Sequence, residues 1–403
     1  MKIDDISLKI IPDSRGKDTI EVEFDDEGNK VFDSVPSGKS TGSNEVVVLP
    51  PSQEKEILSY IEPLIKEKDF QSLEEFDKFL IDLDNTSDKH KLGGNLMLAL
   101  SIGFTKLLAK TQNKEIYQLI AEIANHKVER LPLCFFNVIN GGLHAKDSLP
   151  YQEYMFVPQN ELPSQNLNSV MLLLKELGEY IHQKYEHLRM GDEGGYEISE
   201  KDPEVGLKVL SEVMKRCNQV NAKISLDVAA SSFYKDGLYL VGDKVQTKSQ
   251  LLGTYQQIID KYQMLSIEDP FDEKDETGFQ EITAKVGKKV WIVGDDLTTT
   301  SPERIKIMEE NKACNAVIIK PNQIGTVSEA LEAVRLAKSY NWKVIVSHRS
   351  GETMDTFIAD LAVGVGADGL KSGCPLQKER LVKYQRLIEI EKLISEKIPV
   401  NKS

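Results

Sequence analysis

Residues 315–348, NAVIIKPNQIGTVSEALEAVRLAKSYNWKVIVSH, decide the fold. Two short apolar runs, ending at Lys320 and His348, enclose a segment in which apolar residues recur every three or four positions. Short apolar runs without polar alternation are typical of strands buried on both faces, and the three-to-four spacing is typical of a helix. The stretch therefore predicts a strand, a helix and a second strand parallel to the first.

The same unit repeats through the last third of the chain. Six apolar runs each end in a charged residue, and these residues follow one another at intervals of 23 to 41 positions. A strand with its crossover helix occupies roughly 30 residues, so the intervals fit a βα series. In a closed parallel barrel, the C-terminal ends of all strands open on one face. We therefore expect one site to collect Asp227, Glu268, Asp295, Lys320, His348 and Lys371.

Residues 131–220 must supply two more strands if the barrel has eight. The candidates are LCFFNVIN and YQEYMFVP, and the segment between Asn140 and Gln152 is too short for a helical crossover. We therefore predict that these two strands pair antiparallel. Two helical patterns follow with no strand between them, on either side of the loop GDEGG at 191–195. The predicted fold class is α/β, a (β/α)8-type barrel of ββαα(βα)6 order.

The first 125 residues predict an α+β cap domain, and residues 126–403 the barrel domain. Three strand patterns near the N-terminus, separated by turn residues, predict an antiparallel meander. A stretch dense in small residues, PSGKSTG at 36–42, is typical of a mobile loop. Helical patterns then fill residues 52–125.

Composition narrows the class of protein. The chain has 403 residues, 40% of them hydrophobic, and a net charge of −14. The negative charge disfavours a nucleic-acid or anionic-membrane surface. The N-terminus MKIDDISLKI has no apolar leader pattern, so we expect a cytoplasmic protein without a membrane span. The four cysteines are scattered with no C-x-x-C pair, which argues against a zinc site and a disulfide framework.

The strand-end carboxylates predict a metal site. Asp227, Glu268 and Asp295 end consecutive strands and have no cysteine or histidine beside them. Such an all-oxygen set suits a hard divalent cation, Mg²⁺ or Mn²⁺, rather than zinc. Unpaired, the three carboxylates would repel one another, so we favour a metal over a hydrogen-bonded acid cluster.

The remaining strand-end residues predict removal of a proton next to a carboxylate. Lys320 would lie near Lys371, and neighbouring positive charge lowers a lysine pKa, as a general base requires. Fixed cations, the metal and Lys371, would stabilise the enediolate that forms. Arg349 and Ser350 could hold a phosphate. Glu193 in the GDEGG loop, assisted by Glu153, could protonate a departing hydroxyl, which makes the reaction a β-elimination of water.

Ordered motifs along nearly the whole chain carry a family resemblance. They are DSRG at 13–16, VPSGKSTG at 35–42, NVINGG at 137–142, GDEGG at 191–195, SIEDPF at 266–271, GDDL at 294–297, NQIGT at 322–326 and SHRSGET at 347–353. With these motifs the chain resembles the enolases, which dehydrate 2-phosphoglycerate to phosphoenolpyruvate. One such motif would be weak, but a set in this order is highly specific.

The resemblance implies a role for each matching residue. Lys320 is implied as the base at C2 and Glu193 as the acid at the C3 hydroxyl, supported by Glu153, His144 and Gln152. Two Mg²⁺ ions per site are implied, the first on Asp227, Glu268 and Asp295 and the second on Ser40. Ser40 is also implied to close over the substrate. Arg349, Ser350 and the nearby His348 match the phosphate contacts, and Lys371 the carboxylate contact. A homodimer or higher homo-oligomer is also implied.

The chain departs from the usual pattern near the predicted site. The stretch after Gly42 is shorter than in typical enolases, and Lys39 stands where a small residue is usual. Pro321 follows Lys320, where it would remove a hydrogen-bond donor from the strand. Two alternatives to enolase stay open: a related dehydratase or racemase acting on an unphosphorylated acid, and a non-catalytic binding or scaffold protein.

Overall fold

The N-terminal region is a meander packed on four helices. The computed structural model describes residues 1–39, 42–146, 148–186 and 188–397. Strands β1 (Asp5–Pro12), β2 (Asp18–Asp26) and β3 (Asn29–Ser34) pair antiparallel in that order, as predicted. Helices α1 (Pro51–Lys66), α2 (Leu73–Asp84), α3 (Gly94–Thr111) and α4 (Ile116–Ile123) follow. Helix α3 is almost entirely buried and packs against β2 and β3.

Eight strands close the barrel. They run in the order β4 (Leu133–Asn140), β5 (Glu153–Val157), β7 (Lys223–Asp227), β11 (Met264–Glu268), β12 (Trp291–Gly294), β13 (Ala316–Ile319), β14 (Lys343–Ser347) and β15 (Gly369–Lys371). Strand β15 pairs with β4 and closes the ring, while β5 is antiparallel to both neighbours. The predicted fold class and the antiparallel pair are therefore confirmed.

Helices surround the barrel in the predicted order. Helices α5 (Pro163–Tyr185) and α6 (Glu204–Arg216) lie between β5 and β7. One helix follows each later strand, with a short α10 before α11: α7 (Lys248–Lys261), α8 (Glu276–Val286), α9 (Pro302–Glu310), α10 (Pro321–Ile324), α11 (Val327–Ser339), α12 (Phe357–Gly364) and α13 (Lys378–Lys397). None of the helices in the described ranges is long and apolar enough to cross a membrane.

Short strands were missed in two places. The prediction that no strand lies between α5 and α6 is wrong, because β6 (Tyr196–Glu197) pairs with the end of β4. Its two residues are too few to show a periodic pattern. Between β7 and α7 a small antiparallel sheet forms from β8 (Tyr234–Lys235), β9 (Leu238–Val241) and β10 (Lys244–Gln246). This sheet accounts for the long interval between Asp227 and Glu268.

Pro321 does not disturb the barrel, although the sequence suggested that it would. Strand β13 ends at Ile319, and Pro321 is the first residue of α10. A proline at the first helical position costs no hydrogen bond, since that amide has no partner within the helix. The expectation of a lost strand donor beside Lys320 is therefore wrong.

The N-terminal helices hold the start of α11. Ser101 Oγ on α3 accepts a hydrogen bond from the Val327 amide at 2.9 Å, and Asp77 Oδ2 on α2 accepts one from the Ser328 amide at 2.8 Å. Free amides at a helix N-terminus need such partners when they are buried. The N-terminal region thus fixes α10 and α11, and with them the end of β13. The division into domains at 1–125 and 126–403 stays a prediction.

Glu54 on α1 is a buried acid with an unusual ionisation. Its side chain is 1% exposed. Burial raises the pKa of Glu54 to about 8, and a hydrogen bond from the Leu96 amide offsets part of this effect. The unfolded chain loses the proton near the ordinary value of 4.5, whereas the folded chain keeps it up to about pH 8. The folded state therefore loses stability as the pH rises across this range.

We expect Glu54→Gln to remove this loss, which amounts to up to about 5 kcal/mol at alkaline pH. Thermal unfolding midpoints of wild type and variant should diverge as the pH rises from about 5 to 9, with the variant higher at the alkaline end. Glu56→Gln, on the exposed face of the same helix, is the matched control. Parallel midpoint curves for wild type and Glu54→Gln would contradict the assignment.

Candidate active site

The C-terminal ends of the barrel strands meet in a cavity of about 240 Å³. Its lining includes most of the residues predicted from the sequence: His144, Gln152, Glu153, Glu193, Asp227, Asp295, Lys320, His348, Arg349, Ser350 and Lys371. Larger grooves of about 820 and 850 Å³ lie beside α7 and between α2 and α11, but neither collects the ends of the barrel strands. Glu268 is buried beside this cavity in contact with Lys371. Ser40 lies outside the described residues.

The three predicted metal ligands are neighbours because their strands are neighbours. Asp227 ends β7, Glu268 ends β11 and Asp295 follows β12, and all three are buried. The sequence analysis expected these three carboxylates to be unpaired, but lysines contact them. Lys371 Nζ lies 2.9 Å from both carboxylate oxygens of Glu268 and 3.2 Å from Asp227 Oδ2. Lys320 Nζ contacts Asp295 Oδ2.

A second acid group adjoins this set. Asp269, Asp295 and Asp296 offer oxygens within 4.8 Å of one another. Asp269 accepts hydrogen bonds from the amides of Asp295 and Asp296 at 2.9 and 2.8 Å, so it shapes the turn after β12. Asp295 belongs to both groups, and the sequence analysis did not single out the other two residues of this one.

The pKa values show that the lysines do not balance the acids. Burial, and then repulsion from Asp227, raises the pKa of Glu268 well above its ordinary value. Burial and then Asp296 do the same to the pKa of Asp269, and burial followed by Asp295 raises the pKa of Asp296 to about 7. A buried set of oxygen ligands with excess negative charge fits a hard divalent cation.

Lys320 is fixed by contacts on two sides. Its amide donates to Thr300 Oγ1 at 2.9 Å, and its ammonium group contacts Asp295. Burial, the largest single effect, lowers the pKa of Lys320, but the carboxylates around it, Asp295 first and then Glu268, raise it, and the net direction is upward. The expectation of a lowered pKa is therefore wrong for the protein groups alone. It failed because Asp295 lies closer to the ammonium than the sequence spacing indicated.

Glu193, Glu153 and His144 form a second buried cluster. Their ligand atoms all lie within 4.8 Å of one another, and His144 Nδ1 is 3.5 Å from Glu193 Oε1. Asn137 Nδ2 donates to Glu193 Oε2 at 3.0 Å, a contact that the sequence analysis did not predict. Gln152 lies beside them and donates to Asp227 Oδ2 at 3.2 Å.

The pKa values of Glu153 and Glu193 are shifted in opposite directions. Burial, and then repulsion from Glu193, raises the pKa of Glu153 well above its ordinary value. Burial acts in the same direction on the pKa of Glu193, but His348 and His144 when protonated, the hydrogen bond from His348 and then Arg380 lower it below its ordinary value. Two buried carboxyl groups so close together cannot both ionise readily. Of the two, Glu153 is therefore the more readily protonated and Glu193 the more readily ionised.

The predicted phosphate contacts lie in the loop after β14. Arg349 donates to both carboxylate oxygens of Glu45, at 2.9 and 3.1 Å, and to Asn322 Oδ1 at 2.7 Å. Arg15 Nη1 donates to Ser350 Oγ at 3.1 Å. A second guanidinium group thus adjoins the predicted phosphate position. Arg15 belongs to the DSRG motif, but the sequence assigns it no role, because nothing in the sequence shows that residue 15 contacts residue 350.

Lys39 lies at the rim of the cavity. Its Nζ is 2.6 Å from Asp192 Oδ2 and donates to the Leu143 carbonyl at 2.7 Å. The departure at this position therefore links the segment that precedes Ser40 to the GDEGG loop.

Comparison with known proteins decides the family. The family models for the enolase N-terminal domain and the enolase C-terminal TIM barrel domain match residues 3–120 and 128–402. The chain belongs to the enolase family. Enolases from Methanopyrus kandleri and Methanocaldococcus jannaschii are 38% and 39% identical to it, each over 97% of this chain and 95% of the relative. Enolase B of Dictyostelium discoideum is 37% identical, over the same shares of the two chains. Enolase activity is thereby supported over nearly the whole chain, and the chain is an enzyme of the lyase class.

Proposed function

We propose that this enolase reversibly dehydrates 2-phosphoglycerate to phosphoenolpyruvate in glycolysis and gluconeogenesis, with two Mg²⁺ ions per substrate-bound site and Mn²⁺ as a substitute. One observation carries the proposal: buried acids, two lysines and the Arg349-Ser350 loop line a single cavity at the strand ends. Enzymes of this barrel type place their chemistry on that face. The cavity therefore offers a base, an acid and cationic groups to one small substrate.

The first cation is proposed to bind Asp227, Glu268 and Asp295, whose oxygen ligands and excess negative charge fit it. When bound, it supplies positive charge that stabilises negative charge developing on the substrate. Ser40 is proposed as a ligand of the second ion. The divalent metal follows from the family, and the choice of Mg²⁺ rests on the chemistry of the ligands.

Lys320 is proposed to take the proton from C2. If Asp295 held a cation, its oxygens would support the ammonium group of Lys320 less. Arg349 and Lys371 lower the pKa of Lys320, and of the groups that raise it Glu268 is, like Asp295, a proposed ligand of the cation. A lysine in these surroundings can accept a proton near neutral pH. Lys371, whose ammonium group already lies against carboxylates, is proposed to contact the carboxylate of the substrate.

Loss of the hydroxyl group is proposed to use the Glu153 and Glu193 pair. The sequence interpretation placed the acid on Glu193 with Glu153 assisting. Since Glu153 is the more readily protonated of the two, we assign the acid to the pair, oriented by His144 and flanked by Gln152. Arg349, Ser350 and the nearby His348 are proposed to hold the phosphate. Arg349 must then exchange its contact with Glu45 for the phosphate or share it between the two.

The resemblance also supports three broader proposals. We propose a homodimer or higher homo-oligomer, a cytoplasmic location and a small phosphorylated substrate as the main partner.

The decisive assay measures phosphoenolpyruvate formation from 2-phosphoglycerate by purified protein. We expect product with Mg²⁺, loss of activity with excess chelator, and recovery when Mg²⁺ or Mn²⁺ is restored. D-glycerate, which lacks the phosphate, should give no product, because Arg349 and Ser350 would have nothing to hold. Turnover of D-glycerate would favour the dehydratase alternative. Absence of product from folded, metal-loaded protein would favour a binding role.

A further inference from the structure

Arg380 is a buried guanidinium group that the proposed mechanism does not use. It lies in the first turn of α13, and its side chain is completely buried. It donates to His348 Nδ1 at 2.6 Å, to the Arg349 carbonyl at 2.6 Å and to the Ser350 carbonyl at 2.8 Å. No ion pair among the described residues involves Arg380. Its two terminal nitrogens therefore donate to the three consecutive residues of the proposed phosphate loop, while Nε donates to Gln377 Oε1 at 3.3 Å.

The contact with His348 decides which ring nitrogen carries the proton. A guanidinium group only donates hydrogen bonds and stays charged in proteins. His348 Nδ1 must therefore accept, and the proton of the neutral ring lies on Nε2. Nε2 is 3.5 Å from Glu193 Oε2. His348 thus turns its N–H toward the ionised glutamate of the proposed acid pair.

We propose that Arg380 is a positioning residue that holds His348 as the neutral Nε2–H tautomer facing Glu193 and fixes the backbone of Arg349 and Ser350. This inference rests on the proposed roles of Glu193, Arg349 and Ser350. The side chain of Arg380 thus contacts both His348, which faces the acid pair, and the loop of Arg349 and Ser350, which is proposed to hold the phosphate.

The groups around His348 keep its imidazole ring neutral. Three charged groups face the ring: Glu193 in the GDEGG loop, Glu352 in the loop of His348 itself, and Arg380 on α13. On β15, Lys371 accepts the His348 amide through its carbonyl but directs its ammonium group at Glu268. Burial has the largest effect and lowers the pKa of His348, Glu193 raises it and Arg380 lowers it, and the resulting pKa is about 4. At neutral pH the acid pair therefore holds a proton in preference to His348.

Gly373 confirms how closely the two side chains are packed. A Cβ at this position would lie 2.9 Å from His348 Cε1 and 3.0 Å from Arg380 Cδ, and the residue has φ of +68°. Only glycine fits this backbone and this space. The segment after β15 therefore packs closely against both Arg380 and His348.

The first test is nitrogen NMR of histidine-labelled wild-type protein. The chain has six histidines, and a His348→Asn sample identifies the signal of interest. We expect Nδ1 to be unprotonated and Nε2 protonated, with no titration between about pH 5.5 and 9. A protonated Nδ1, or titration in that range, would overturn the proposal. This reading needs no substrate. If the tautomer is as expected but 2-phosphoglycerate is not turned over, the positioning stands and the proposed function fails.

The second test compares Arg380→Met with Arg386→Met. Arg386 lies on the same helix, is paired with Asp360 and Glu115, and is remote from the cavity lining. We expect Arg380→Met to lower kcat/KM by about 100-fold, as misplacement of reacting groups by roughly 1 Å does. We also expect it to let His348 titrate and to move the acid limb of the pH profile to higher pH. Arg386→Met should show neither change.

Guanidinium ion provides a rescue experiment. Arg380→Ala leaves a space of guanidinium shape against His348 Nδ1 and the two carbonyl groups. Millimolar guanidinium should restore part of kcat/KM and the Nε2–H tautomer, while millimolar sodium should not. A loss of activity in Arg380→Met with an unchanged His348 tautomer and pH profile would reduce Arg380 to a structural role and overturn the proposal.

Discussion

Replacing Lys320 by alanine should lower kcat for 2-phosphoglycerate by about 10⁴-fold, the upper end of what removal of a general base costs. Lys320 is held by Thr300 and Asp295 at the end of β13, so alanine removes the ammonium group while the backbone amide keeps its hydrogen bond. Exchange of the C2 hydrogen with solvent deuterium should fall by the same factor, because both processes begin with loss of that proton.

Metal binding should survive the same substitution. The ammonium group of Lys320 competes with a cation for Asp295, so its removal should leave Mg²⁺-dependent thermal stabilisation unchanged or increased. Near-normal turnover by Lys320→Ala would refute the base assignment. Loss of both turnover and metal-dependent stabilisation would instead indicate damage to the site.

Lys338→Ala is a demanding control for this experiment. Burial lowers the pKa of Lys338, which is the property usually sought in a catalytic lysine, yet it lies on α11 outside the cavity lining. We expect full activity from Lys338→Ala. Position against the substrate, rather than a perturbed pKa by itself, should decide which lysine is essential.

Asp295→Asn should weaken Mg²⁺ binding by more than about 100-fold, beyond the effect usual for residues that only support a ligand. The amide keeps the shape of the side chain but removes the negative charge that the cation requires. Calorimetric titration of Mg²⁺ without substrate measures the change directly. An unchanged titration would contradict the proposed ligand set.

Two further variants distinguish the adjoining acid groups. Asp227 belongs only to the proposed ligand set, and Asp296 only to the group that it forms with Asp269 and Asp295. We expect Asp227→Asn to weaken Mg²⁺ binding strongly. Asp296→Asn should change it by less than about tenfold, because burial and Asp295 already raise the pKa of Asp296 to about 7 and reduce its charge at neutral pH. The reverse order would move the ion into the second group.

Strand periodicity predicted the barrel because its signal is local. A buried parallel strand is an apolar run that ends where the chain leaves the sheet, so Asp227, Glu268 and Lys320 could be placed at one mouth from their spacing. The strands β6 and β8 were missed because two residues carry no period. Pro321 was misread because the sequence did not show that β13 ends at Ile319, two residues before it.

Side-chain contacts at the site could not be predicted in the same way. Arg15 meets Ser350, and Glu45 meets Arg349, across more than 300 residues of chain. Neither contact leaves a periodic or compositional trace, since each depends on how the N-terminal region docks on the barrel. The direction of the Lys320 pKa was wrong for the same reason, because it depends on the position of Asp295.

The sequence by itself determined the barrel, the order of its strands and the identity of the charged residues that end them, because backbone periodicity and chain spacing encode all three. Which lysine contacts which acid, which glutamate of the pair is more readily protonated and which nitrogen of His348 carries the proton became visible only in the folded chain. These properties depend on distances of a few ångströms between residues far apart in the chain, at which burial and Coulomb interactions outweigh any local preference.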